Sequence, residues 1–371
     1  MEKIQKILNI GLERYEKEHK IIAYKKKVIE AIKNCKTANI GAHKYVCDEC
    51  GHEEIAYNSC RNRHCPNCQT GKKLKWIEAR KEEVLNIKYY HIVFTIPSEL
   101  YGIAIQNQEK IYKIMFKASS ETLQELAKDE KYLGGEIGFF SILHTWGQNL
   151  MYHPHVHLVV TGGGLSEIGK WVEKEEDFFI PVKVMSRVFR GKFLNYMKRE
   201  KIDFYGKQKY LENPAIYNEL IQSLYNKEWI TYCKEPFKNA ECVIQYLGRY
   251  THRVAISNER ILKIEGEEVT FKWRDYRDNN KMKEMTVNVQ EFIRRFLLHI
   301  LPPHFMKIRY YGILGNRNKK KKLLKCKILT RTKIYIKKQL PTLELLKQTL
   351  GKDFNLCPQC QKGHMLIPNT T

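Results

Sequence analysis

An α+β protein with an N-terminal zinc-ribbon-like domain is predicted by three features of the sequence. Amphipathic helical periodicity alternates with short β-branched and aromatic runs. Two Cys-x2-Cys knuckles, Cys47/Cys50 and Cys65/Cys68, stand fourteen residues apart. A histidine-rich run over residues 144–164 leads through a turn into Leu158-Val159-Val160, a strand pattern. The chain has 371 residues, enough for two or three domains, and 43% hydrophobic residues suit a globular core.

Residues 1–34 read as a helix or helix pair, with Ile4, Ile7, Leu8, Leu12, Ile21, Ile22, Val28, Ile29 and Ile32 interleaved with Lys and Glu. The two knuckles follow. Gly51 after the first and Pro66 within the second make tight turns, so Cys47, Cys50, Cys65 and Cys68 are read as one four-thiolate zinc site. Cys60 and His64 are reserve ligands. Arg61 and Arg63 beside the site point to DNA contact. Lys88 to Pro97 reads as a strand stopped by proline, with His91 an ordinary strand residue. Residues 102–128 read as helix, and Ile137 to Trp146 as a second strand. Eight residues of turn then lead to the His155–Val160 strand, so the two should pair antiparallel with the register open.

His155 and His157 alternate with one apolar residue, so both point to one face, roughly 6–7 Å apart at Cα. Two imidazoles on a rigid strand make half a divalent-metal site. In a chain with thirteen histidines, the pair alone does not separate a metal site from a chance His-x-His. His144 or Gln148 is the candidate third ligand. His153 shares their face one further step along, but Pro154 distorts the path, so it is read as shaping the entry turn. Three ligands plus water suit a catalytic Mg²⁺ or Mn²⁺.

Residues 182–234 read as mostly helical and polar. Residues 239–253 read as a helix with Asn239 as N-cap, on which Tyr246 and Tyr250 share a face at i and i+4. Short strands over 254–256, 260–264 and 269–273 precede a helix around 291–299, ended by Pro302-Pro303, and Phe305 to Gly312 returns to strand. Lys319, Lys320, Lys321 and Lys322 then open a basic segment. The chain ends in Cys357-x2-Cys360, half of a second zinc site with no fourth ligand nearby.

Lys+Arg number 65 against 41 Asp+Glu, a net charge of +24, which favours a polyanionic partner. Eleven cysteines without a secretory leader pattern argue for metal sites rather than disulfides, with Cys35, Cys233, Cys242 and Cys326 read as small buried apolar residues. No apolar run has the length of a membrane span, so the chain is expected in a prokaryotic cytoplasm, nucleoid-associated. A paired-histidine metal, helical tyrosines and a basic zinc-bearing chain converge on one chemistry. The metal polarises a scissile phosphate and a tyrosine hydroxyl attacks it, leaving a 5′-phosphotyrosine and a free 3′-OH.

Four segments carry a family resemblance: Tyr57 to Pro66; His153-Pro154-His155-Val156-His157; Tyr246 to Asn258; and Phe292 to Pro302. In these the chain resembles the HUH-type, two-tyrosine rolling-circle transposases of the insertion-sequence-91 group. The resemblance implies that His155 and His157 are metal ligands and that Tyr246 and Tyr250 are nucleophiles. It also implies an HUH-endonuclease palm, an antiparallel sheet with helices on one face, acting on single-stranded DNA at element ends. The corresponding boundaries are 1–80 for the helical lead and zinc domain, 85–312 for the catalytic domain, and 313–371 for a basic C-terminal tail. Arg249 and Arg253, with the lysine run, are expected to hold DNA. A rolling-circle replication initiator or relaxase would use the same chemistry. A non-catalytic zinc nucleic-acid-binding protein would keep Tyr246 and Tyr250 only for packing.

Overall fold

The computed structural model describes residues 2–174, 180–237, 242–244, 246, 248, 254–276, 278–334 and 340–368. Its centre is a six-stranded antiparallel sheet. The strands are β3 (Tyr89–Thr95), β4 (Glu136–Trp146), β5 (Tyr152–Leu165), β6 (Trp171–Glu173), β7 (Thr231–Phe237) and β11 (Ile308–Gly312). They run in the order β11-β4-β5-β3-β7, with β6 beside β5. Strand side chains alternate faces. Ile92, Phe94, Phe139, Leu143, Val156, Leu158 and Val160 point to one face and are buried there. That face is covered by α5 (Gln108–Lys128), α6 (Val182–Arg199) and α7 (Pro214–Asn226), through residues such as Phe116, Phe189 and Leu224. The stretch read as one polar helical region, 182–234, therefore ends in a central-sheet strand.

The opposite face is divided. At one end Phe140, Ile142 and Val159 pack with Val243, Leu323 and Cys326, and with Trp76 of α3 (Thr70–Lys81). Its other end carries His91, His144, His155 and His157 and lies open as a cleft. Helical cover on one face only, as the resemblance implies, is thus exceeded by partial cover on the second.

A second core joins distant parts of the chain. The helices α1 (Lys3–Glu18) and α2 (Ala23–Lys33) bury Ile4, Ile7, Leu8 and Ile29 against Phe271, Phe292 and Phe296. These partners belong to a three-stranded sheet, β8 (Ile261–Glu265), β9 (Glu268–Asp275) and β10 (Lys281–Asn288), and to α8 (Val289–Leu298). Asn288 caps α8 by accepting from the Gln290 N–H at 2.8 Å. The strand β10 has only Met282, Met285 and Val287 as apolar residues and is largely exposed, which weakens its pattern in the sequence, and residues 254–256 are not a strand.

The turn between β4 and β5 is fixed by this second core. Leu150 sits there at φ 63°, a left-handed conformation unusual for a branched side chain, yet its side chain is fully buried. Its carbonyl accepts from His299 Nε2 at 2.9 Å, and the Asn149 carbonyl accepts from Arg295 Nη1 at 2.9 Å. His299 Nδ1 lies 3.2 Å from the Thr145 hydroxyl, and burial lowers the His299 pKa to about 4. The ring is therefore neutral at pH 7 and ties β4 to the turn. His299→Ala removes this brace, strands a buried carbonyl and opens a cavity; we expect roughly 2–4 kcal/mol of lost stability, read from denaturant midpoints.

After β11 the basic segment forms α9 (Lys319–Leu329) rather than a free tail. Lys319 pairs with Glu83, and Lys322 pairs with Glu136 at 2.6 Å, while Leu323 and Cys326 are buried. Lys320 and Lys321 face solvent. None of the helices among the described residues is long and apolar enough to cross a membrane.

Candidate active site and sulfur clusters

The register of three strands builds the histidine cluster. Across β4 and β5, Ile142 faces His157 and His144 faces His155, with an irregularity between His144 and Trp146. Across β3 and β5, Val93 faces His157 and Thr95 faces His155. His144, His155 and His157 each offer a ring nitrogen, and all three nitrogens lie within 4.8 Å of one another. Of the two candidates for third ligand, His144 joins the pair. Gln148 instead donates to the Tyr276 hydroxyl at 3.0 Å across the cleft mouth.

The tautomers follow from the outer partners. His155 Nδ1 lies 2.6 Å from the His153 carbonyl, so it carries the proton and leaves the Nε2 lone pair for the cluster. His157 Nδ1 lies 2.9 Å from His91 Nε2, which likewise turns its own Nε2 inward. The donor set is three imidazoles without a carboxylate, a set that fits a borderline or transition divalent ion. His153 itself bonds the Tyr101 hydroxyl and only supplies a backbone carbonyl to this arrangement.

Tyr246 reaches the same cluster from the helical turn that covers the other half of this face. Its hydroxyl lies 2.6 Å from His91 Nε2 and 3.4 Å from His157 Nδ1. Its ring packs on Phe237 and tilts over His91, with centroids 5.1 and 4.7 Å apart. His91, read from sequence as an ordinary strand residue, is therefore the residue that joins Tyr246 to His157. Burial, aided by Lys234 and His155, lowers its pKa to about 3, so the ring is neutral and its Nε2 lone pair is shared by the Tyr246 O–H and the His157 Nδ1–H. The parity of β3 was the available signal, since a lone histidine in an otherwise apolar strand calls for a partner. Tyr250, Arg249 and Arg253 lie outside the described residues.

The cleft holding these groups has a volume of about 480 Å³ and includes Trp146, Tyr232, Lys234 and Tyr276. No acidic side chain is among the described residues lining it. A cation on three neutral ligands would keep its full charge for an anionic substrate. Tyr232 and Tyr276 are exposed at the rim, as flat surfaces on which bases can stack.

The sulfurs group differently from the expected ribbon. Cys65 and Cys68 do not meet Cys47 and Cys50; they join Cys60 and Cys35, all four sulfurs lying within 4.8 Å. Cys60 and Cys68 sulfurs are 3.7 Å apart, and the Cys60 N–H points at the Cys35 sulfur at 3.4 Å. Arg61 at φ 53° turns the chain so that Cys60 faces back to Cys68. The β1 (Ala42–Cys47) and β2 (Glu53–Tyr57) hairpin carries Cys47 and Cys50 away to a second group, with Cys357 and Cys360. Cys35 was thus misread as an apolar filler, because its partners lie 25 residues or more along the chain.

His64 belongs to neither group. It is half-buried beside the Leu301 N–H, and desolvation with nearby Arg63 lowers its pKa to about 3. The Arg63 guanidinium is directed to the Pro302 and Phe305 carbonyls, while Arg61 is exposed.

Comparison with known proteins agrees with this layout. Residues 7–96 match a family described as "Transposase zinc-binding domain", and residues 138–322 match one described as "Putative transposase". The chain is 43% identical over 364 residues to "Putative transposase y4qJ" of Sinorhizobium fredii (strain NBRC 101917 / NGR234), covering 95% of this chain and 92% of that protein. It is 29% identical over 291 residues to "Transposase for insertion sequence element IS801" of Pseudomonas savastanoi pv. phaseolicola, covering 76% of this chain and 68% of that protein. No solved structure matches.

Proposed function

The chain belongs to the insertion-sequence-91 family of transposases, and we propose that it nicks and rejoins single-stranded DNA at element ends through a 5′-phosphotyrosine intermediate. The observation that carries this reading is the Tyr246 hydroxyl held 2.6 Å from His91, against the His144–His155–His157 cluster. The central sheet with its histidine strand is the HUH palm of this proposal.

His144, His155 and His157 would hold a divalent ion, and of Mg²⁺ and Mn²⁺ this imidazole set suits Mn²⁺ better; when bound, such an ion would polarise the scissile phosphate. Tyr246 Oη attacks phosphorus in line, the P–O3′ bond breaks, and the 3′-oxygen leaves to become a free hydroxyl with a proton from water. The Tyr246 proton is lost to water as the oxygen attacks, since His91, with a pKa of about 3, accepts the hydroxyl's hydrogen bond but is too weak a base to keep its proton. His91 also fixes the direction of the hydroxyl before attack. Rejoining is the reverse: a 3′-OH attacks the phosphotyrosine and restores the diester, so no nucleotide cofactor is consumed. Tyr250 would accept a second strand in a further transesterification. Tyr232 and Tyr276 stack unpaired bases, and Arg61, Lys320 and Lys321 supply exposed positive charge for the backbone. Zinc at Cys35, Cys60, Cys65 and Cys68 would hold the N-terminal domain in shape.

The test is incubation of the full chain with single-stranded oligonucleotides from the ends of its element, followed by a denaturing gel. We expect a metal-dependent covalent protein–DNA band that duplex DNA does not give. Absence of a band with any end sequence would leave a DNA-binding protein without this chemistry. Because imidazole favours Mn²⁺ over Mg²⁺, half-maximal adduct should need roughly tenfold less Mn²⁺ or lower still. Equal requirements would argue against a three-imidazole site.

A further inference from the structure

We infer that Cys357 and Cys360 close a second four-thiolate zinc centre with Cys47 and Cys50, fastening the C-terminal segment to the N-terminal domain. The four sulfurs lie within 4.8 Å of one another, although more than three hundred residues separate the two pairs. Cys47 to Cys360 and Cys50 to Cys357 are each 3.7 Å apart. A disulfide needs about 2.0 Å. Sulfurs at the corners of a tetrahedron around zinc, with bonds of about 2.3 Å, are roughly 3.8 Å apart. The spacing therefore matches metal ligation and not oxidation.

The backbone around the sulfurs is built for the same purpose. The Cys50 N–H points to the Cys47 sulfur at 3.5 Å, and the Gly363 N–H points to the Cys360 sulfur at 3.4 Å. Such donors stabilise thiolate charge, and each knuckle supplies one to its own first or second sulfur. Gly363 is where the two knuckles touch. A Cβ there would stand 2.6 Å from the Cys47 sulfur and 2.7 Å from Glu49 Cβ, so only glycine permits the approach. The Asp48 N–H donates to the His364 carbonyl at 3.1 Å, and the His364 N–H returns to Asp48 Oδ1 at 2.6 Å. Beyond them β12 (Met365–Leu366) pairs antiparallel with β1, Cys47 opposite Met365, completing a β12-β1-β2 sheet. Two knuckles, a shared strand pair and a buried Cys47–Cys357–Met365 cluster together form one small domain made from both ends of the chain.

This closure has a reach beyond the centre itself. The helix α10 (Thr342–Leu350), just before the second knuckle, lies on α3, with the Thr342 methyl against Gly71. The same α3 packs on the turn that carries Tyr246, where Ile77 closes over Gly248. The C-terminal segment is therefore a strap anchored by zinc and bracing α3, and the basic helix α9 is held between two fixed ends. The inference does not depend on the DNA chemistry proposed above.

Zinc content of the full chain tests it, with Cys357→Ser plus Cys360→Ser as the variant. Wild-type protein should hold two zinc ions per chain and the variant one, with far-ultraviolet circular dichroism unchanged. Cadmium-113 substitution should give two four-thiolate resonances in the wild type and one in the variant. Limited proteolysis should cut the variant between residues 330 and 357 at least tenfold faster. A variant with the same zinc content as wild type would overturn the proposal, as would a single cadmium resonance that survives the two substitutions.

Discussion

Tyr246→Phe is expected to abolish the first cleavage, lowering the covalent adduct by about 1000-fold or more, the scale of losing a covalent nucleophile. The substitution deletes one oxygen. The ring still packs on Phe237 and His91, so the fold and DNA affinity should be preserved. The loss would then be confined to chemistry, with binding of single-stranded DNA in a filter or anisotropy assay within about twofold of wild type. Tyr250→Phe should behave differently, retaining a first adduct while losing strand transfer. Adduct at wild-type levels in Tyr246→Phe would sink the assignment of this tyrosine as the first nucleophile.

The second large effect is expected at the metal histidines. His155→Ala and His157→Ala each remove one of the three proposed ligands, and each should lower cleavage by at least ~100-fold at fixed metal concentration. Zinc content should stay at the wild-type value, since neither residue belongs to either sulfur group. His157→Ala also removes the neighbour of His91 and Tyr246, so raising the Mn²⁺ concentration should rescue it less well than His155→Ala. Loss of zinc in either variant would mean that these histidines serve a structural site.

What the sequence disclosed depended on how local each feature was. His155 and His157 were legible because strand alternation alone puts them on one face. Tyr246 is singled out through the family resemblance, its i,i+4 spacing being weak support alone, and the structure brings its hydroxyl to His91. His144 could be named only as one of two candidates, because the turn over residues 147–151 and the irregularity beside Trp146 set the register. His91 was missed: it faces Val159, and its meeting with His157 is diagonal across β3 and β5. The zinc ligands failed for a related reason. Two knuckles fourteen residues apart invite a single site by spacing, but the β1–β2 hairpin separates them, and the sulfurs they meet belong to Cys35 and Cys60 on one side and to a knuckle near residue 360 on the other. Arg63 looked like a phosphate contact by charge, yet its guanidinium is taken up by the Pro302 and Phe305 carbonyls. Sequence spacing reads partners within one element well. It cannot read those brought together by sheet order or by chain ends.

The most direct measurement is mass spectrometry of the tryptic digest of the covalent adduct. Cleavage after Lys238, Arg249 and Arg253 separates the two tyrosines, giving one peptide, Asn239–Arg249, with Tyr246 and another, Tyr250–Arg253, with Tyr250. After nuclease trimming, a nucleotide joined through its 5′-phosphate should be found on the Asn239–Arg249 peptide, at Tyr246. A nucleotide on any other residue of the chain, or a 3′-linked one, would contradict a first attack by Tyr246 beside the histidine cluster.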